Sequence, residues 1–169
     1  MLYQELAARS LPAPARRRFA RTTLTVSGLW GLVAPEDPIP HYKLKMSANV
    51  APLGKLSTWW RPAITEALGP RVRGAVVWDL LPIEHSAAID WSALAPRLRV
   101  TVRFVDRHDK TVAHWNKLLK GSLVAWLAET GVTDPADVGD FEHPRGYVLD
   151  PLASSFAPPH VSLVLREQG

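Results

Sequence analysis

The sequence predicts an α+β fold: one compact domain over residues 1–169, with a mixed or antiparallel sheet flanked by helices. Three observations carry this. Apolar residues recur at i, i+3 and i+4 over 56–68 and again over 116–129, the spacing of helices with one buried face. Between them, Leu98, Val100, Val102 and Phe104 alternate with Arg97, Arg99, Thr101 and Arg103, the period-two pattern of a half-exposed strand with one basic face. The chain has 169 residues, 47% hydrophobic and 21% charged, an ordinary globular composition at a length that suits one domain.

The elements are read in chain order. Leu2, Leu6 and Ala7 share a helical face, and Pro12 and Pro14 punctuate the chain after it. A second helix is expected over 14–21, because proline is tolerated in a first turn; it carries Arg16, Arg17, Arg18 and Arg21 as a solvated face. The β-branched residues of 22–26 read as a short strand. In the helix over 56–68, Ser57 or Thr58 is expected as the N-cap, Pro62 in or near the first turn, and Gly69-Pro70 as the end. Trp59 and Trp60 are read as core. Residues 74–79 read as a buried strand ending in Asp79, and Pro82 opens a short helix with Glu84 and His85. His108-Asp109 resembles a hairpin tip with 111–115 returning as a partner strand. Gly131 closes the helix of 116–129, Thr133-Asp134-Pro135 caps a short one after it, and 147–149 and 161–165 are the final strands.

Composition excludes several functions. With no cysteine there is no disulfide, thiolate metal site or cysteine nucleophile. No apolar run approaches the roughly 20 residues of a membrane span. The opening MLYQELAARS lacks a secretory pattern, so a cytoplasmic protein is expected. A net charge of +4 and a pI near 9.7 permit an anionic partner without requiring one.

Two stretches carry candidate chemistry. Gly28 and Gly31 allow a sharp turn, and Pro35, Pro38 and Pro40 then forbid a regular helix. The resulting stiff loop holds Glu36, Asp37, His41, Tyr42, Lys43 and Lys45, either as a site or as a structural crossover. At the start of the later helix, His114, Lys117 and Lys120 form a stripe, and lysines there oppose the macrodipole unless an anion is bound. The histidines at 41, 85, 108, 114, 143 and 160 have no H-x-x-x-H or H-E-x-x-H spacing, so neither a metal nor a cofactor is expected.

Taken in order, these motifs resemble one family. Ser27-Gly28-Leu29-Trp30-Gly31, then Pro35-x-Asp37, Ile39-Pro40-x-Tyr42 and Leu44-x-Met46, is similar to the signature of the YaaA peroxide-stress family. The tryptophan-bearing helix after 59, the strand and acidic helix start of 76–84, His114-x-Asn116-Lys117-x-x-Lys120-Gly121 and Gly146-Tyr147 resemble its later blocks. The resemblance implies a cytoplasmic α+β protein that responds to hydroperoxide, limits iron-driven damage and binds duplex DNA non-specifically. It also implies a helix-hairpin-helix-like element near 114–138, with Lys117, Lys120 and Gly121 as the DNA contacts. Lys43 stands where the family has arginine and Lys45 reverses the sign of an acid. The family's N-terminal strand and loop have no counterpart before Leu2-Tyr3, and a sheet lacking that strand would expose an edge.

The alternative expectation is an enzyme acting on a small anionic or nucleotide-like substrate. Its cleft would lie between the 27–46 loop and the 114–121 helix start, with Asp37, Tyr42, Lys43, Asp79, Glu84 and His114 as the acid–base candidates.

Overall fold

The computed structural model describes residues 6–112, 116–143 and 145–168. After a 3-10 turn at Ala8–Ser10, helix α1 spans Ala13–Thr22, with Pro14 in its first turn. Strands β1 (Thr25–Ser27) and β2 (Gly31–Val33) form an antiparallel hairpin, and β3 (Asn49–Val50) and β4 (Gly54–Lys55) form a second. Helix α2 runs over Leu56–Val72, and strand β5 over Val76–Asp79. Then come α3 (Ile83–Ser86), a 3-10 turn at Trp91–Ala93, β6 (Leu98–Val105) and α4 (Asn116–Thr130). A 3-10 segment at Pro135–Asp140 precedes β7 (Tyr147–Leu149) and β8 (His160–Glu167).

The main sheet is mixed, ordered β5-β6-β8-β7: the first three strands are parallel and β7 runs against β8. The first core lies between this sheet and α4, where Val100, Val102 and Phe104 of β6 meet Leu119 and Leu123. The second joins α2 to Val26 and Met46 through Leu56, Ile64 and Leu68. β5 serves both, because alternate strand residues point to opposite faces: Val76 and Trp78 join the first core and Val77 the second. A third core docks α1 on α4 through Ala15, Phe19 and Ala128. Arg18 secures that contact by donating from Nη1 to the Ala128 carbonyl and, at 3.1 Å, to the Glu129 carbonyl. These are orphan carbonyls at the negative end of the helix, where a cation is favoured.

Several local expectations need correction. The strand expected over 22–26 is β1, Thr25–Ser27, because α1 continues to Thr22. α2 begins at Leu56 with no side-chain cap, since the Leu56 and Ser57 N–H groups donate to the Ala48 and Met46 carbonyls at 2.9 and 3.0 Å. Pro62 therefore sits well inside the helix, and Pro70 does not end it. Both prolines are exposed, so water reaches the carbonyls they leave unpaired. Trp59 is not core but 45% exposed, because the buried seam runs through Leu56, Ile64, Leu68 and Val72. The return after the 106–110 turn is a single bridge, Val105 to Thr111, within the described residues; 113–115 lie outside them. Leu2 and Tyr3 also lie outside the described residues.

Candidate functional site

The 27–46 loop is locked by its own polar groups. Ser27, 2% exposed, accepts the Leu29 and Trp30 N–H groups on its Oγ at 3.2 and 2.9 Å, and shares a 2.5 Å hydrogen bond with the Tyr42 hydroxyl. Asp37 accepts the Ala34 N–H at 2.7 Å. Both of these candidates, Asp37 and Tyr42, thus bond to the loop itself. A side chain at Gly28 would meet the Leu44 carbonyl oxygen at 2.8 Å, so residues 44–46 lie directly against the turn. The Trp60 indole N–H donates to the Gly28 carbonyl at 3.0 Å, tying the turn to α2. Burial alternates over 41–45: Tyr42 and Leu44 turn inward, while His41, Lys43 and Lys45 are exposed.

A second polar centre surrounds Asp79, 7% exposed at the end of β5. Its Oδ2 accepts from Arg99 Nε and Nη2 at 3.1 and 2.6 Å and from the Ser86 hydroxyl at 3.2 Å; Oδ1 accepts the Leu81 N–H. Trp91 Nε1–H donates to Ser86 Oγ at 3.0 Å, and the Arg99 guanidinium stacks 4.0 Å over the Trp91 ring. Both oxygens of this buried carboxylate are thereby hydrogen-bonded, one of them to a charged donor. A cavity of about 310 Å³ opens beside it, bordered by Trp91, Arg99 and His160.

The start of α4 reaches the same neighbourhood. Lys120 donates from Nζ to the Leu80 carbonyl at 2.9 Å, and burial holds its amine below the usual lysine range, partly offset by the Asp79 charge. The His85 ring is likewise held below the ordinary imidazole value by burial, with Glu84 opposing at 3.8 Å and Lys117 reinforcing. Among the described residues its Nδ1 has no hydrogen-bond partner. Because the folded chain binds a proton at His85 less readily than the unfolded chain does, this residue's contribution is intact above the unfolded value. It is lost as pH falls through the folded value. The expected outcome is an imidazole that titrates below the unfolded value by NMR, and an acid-side stability decline that His85→Gln flattens.

The structure therefore groups Asp79, Glu84, Lys117 and Lys120 about one end of β5. Asp37, Tyr42 and Lys43 belong to the loop that packs into the second core. His114 lies outside the described residues. Lys117 is exposed, whereas Gly121 is buried inside α4 with its N–H in helical geometry. Of the expected two-helix element near 114–138, the structure describes α4, a left-handed turn at Gly131 (φ 72°) and the 3-10 segment. Sequence reasoning did not single out Ser86, Trp91 or Arg99. Arg99 was legible as a residue leaving the core face of β6, but not as the partner of an acid on the neighbouring strand.

Comparison with known proteins gives a consistent picture. Residues 1–153 match the family model described as Peroxide stress protein YaaA. A UPF0246 protein of Streptomyces coelicolor is 35% identical over 153 residues, covering 89% of this chain and 59% of its own length. A UPF0246 protein of Salinispora tropica is 33% identical over 165 residues (92% and 60%), and one of Cereibacter sphaeroides 31% over 161 (90% and 62%). The chain thus spans about three-fifths of the length of these relatives.

Proposed function

Because the chain belongs to the YaaA family of peroxide stress proteins, we propose that it serves the oxidative-stress response by binding duplex DNA without sequence preference. In this reading it acts in the cytoplasm and helps limit the damage that iron-driven oxidation does to the bound duplex. The observation that carries the reading is Lys117, exposed in the first turn of α4, with Lys120 one turn further on. Helix N-termini favour anions, so a phosphate placed there relieves the repulsion between these lysines and the macrodipole. Lys120 commits one of its three ammonium hydrogens to Leu80, which leaves others for an oxygen ligand. Gly121 is assigned to close packing of the helix, since its burial keeps its N–H from a phosphate. The exposed acids Asp134, Asp137 and Asp140 disfavour a phosphate at the 3-10 segment, which supports a contact at the start of α4 instead. Among the described residues no three His, Asp or Glu side chains come together in a way that could hold a metal. No described helix is long and apolar enough to cross a membrane.

Phosphate contacts carry no sequence information and release counterions. Lys117→Ala is expected to weaken binding to all duplexes alike and to reduce the slope of log K against log salt by about 0.9. A filter-binding titration at several salt concentrations checks this. Absence of binding at low salt, or binding indifferent to salt, would remove the proposal.

A further inference from the structure

The surface around Trp30 and Trp59 is not used by the duplex reading. Leu29, Trp30, Ile39, Leu53 and Trp59 are each 41–47% exposed, and all fall within residues 29–59. Trp59 and the residue after Trp30 both lie against the Trp60 ring, and exposed aromatic side chains so placed call for a partner. The backbone beneath them is rigid. The turn bearing Leu29 and Trp30 is held by Ser27 Oγ, and the Trp60 ring lies against Gly31, the residue after Trp30. Trp59 in turn packs edge-to-face on Trp60, with ring centres 4.6 Å apart. The backbone of residues 44–46 borders the same turn across Gly28.

The charge of this region is net positive. Residues 38–65 contain Lys43, Lys45, Lys55 and Arg61 and no acid, and all four of these cations are exposed. Two exposed acids, Glu36 and Asp37, precede them, and Asp37 accepts the Ala34 N–H. A partner that fits must offer regularly spaced negative charge together with flat apolar faces. A duplex keeps its base faces stacked inside and offers only charge, whereas an unpaired strand offers both. We propose that this surface binds a single nucleic-acid strand, with bases stacked on Trp30 and Trp59 and phosphates lying along Lys43, Lys45 and Lys55. The turn is pre-formed, so the strand is met without ordering the loop first. This inference concerns residues other than Lys117 and stands or falls apart from it.

The test is a fluorescence titration of the whole chain with a labelled oligothymidylate of about ten nucleotides, within the site sizes such surfaces cover. A base-free strand of the same length and a matched duplex serve as the other two probes. Stacking is expected to quench tryptophan emission, and Trp30→Ala and Trp59→Ala are each expected to weaken strand binding about 5- to 150-fold. Trp30→Phe keeps a ring and should retain most of the affinity, which separates stacking from any disturbance of the turn. Lys43→Ala with Lys45→Ala should lower the salt slope for the strand by about 1.4. Lys117→Ala should leave strand binding unchanged while weakening the duplex. Equal affinity for the base-free strand, or wild-type strand binding by the double tryptophan variant, overturns the inference. So does self-association of the chain that the tryptophan variants abolish in the absence of strand binding.

Discussion

Gly31→Ala is expected to destabilise the chain by about 2–5 kcal/mol, measured as the loss of unfolding free energy in urea. Two costs combine. The residue has φ 69°, where a side chain meets its own backbone at about 1–2 kcal/mol. An added Cβ would also stand 2.6–3.0 Å from three carbons of the Trp60 ring. That ring has little room to retreat, since its N–H is bonded to the Gly28 carbonyl and it packs at 79° to the Trp59 ring. Forcing it aside adds about 1–3 kcal/mol of overpacking. Gly54 provides the control: it has φ 75° but nothing within 4 Å of an added Cβ. Gly54→Ala should therefore show the conformational cost alone, about 1–2 kcal/mol. Equal losses at the two positions would mean that the packing of Trp60 against the turn contributes nothing.

Arg99→Ala is expected to cost about 3–5 kcal/mol, because it strands a buried carboxylate. Among the described residues Asp79 would keep hydrogen bonds from the Ser86 hydroxyl and the Leu81 N–H, with the Lys120 charge nearby, and Trp91 would lose the cation stacked on its face. Arg99→Lys should fall between, since an ammonium keeps the charge but not the fork or the stacking. The informative variant is Asp79→Leu with Arg99→Met, which removes both charges at once. It should be markedly less damaging than the sum of the two single alanine substitutions, as is typical when a buried pair is replaced by apolar groups. Strict additivity in urea denaturation would show that the two side chains are not energetically coupled.

What was legible in the sequence was local. The alternation of 98–104 defined β6 almost to the residue, because period two needs no information from elsewhere. The loop signature was equally plain because its turn residues are contiguous. The start of α2 was not legible: its first N–H groups are satisfied by the carbonyls of Met46 and Ala48, so the hydroxyl of Ser57 was never needed as a cap. The run of α2 past Pro70 depends on that proline's exposure, which is set by packing rather than by propensity. The same limit explains the basic face expected on β6. Arg99 is neutralised by Asp79, and exposed Arg103 lies 3.9 Å from Asp109, pairings set by strand register and by a turn. Lys117 and Lys120 were found by spacing, but only the folded chain shows one of them exposed and the other half-buried against Leu80.

The docking of α1 on α4 also has a consequence in time. Arg18 bonds to a carbonyl 110 residues further along the chain. At about 5–20 residues per second of synthesis, that partner emerges roughly 5–20 s after Arg18. During this interval the face of Ala15 and Phe19 has no α4 to cover it. The arginines at 16, 17 and 21, exposed in the finished fold, lie next to that apolar stripe in sequence and keep its surroundings charged while the ribosome works. Like charge between neighbouring nascent chains disfavours their association, so the arginine run also acts as a solubility guard for a helix that must wait for its partner.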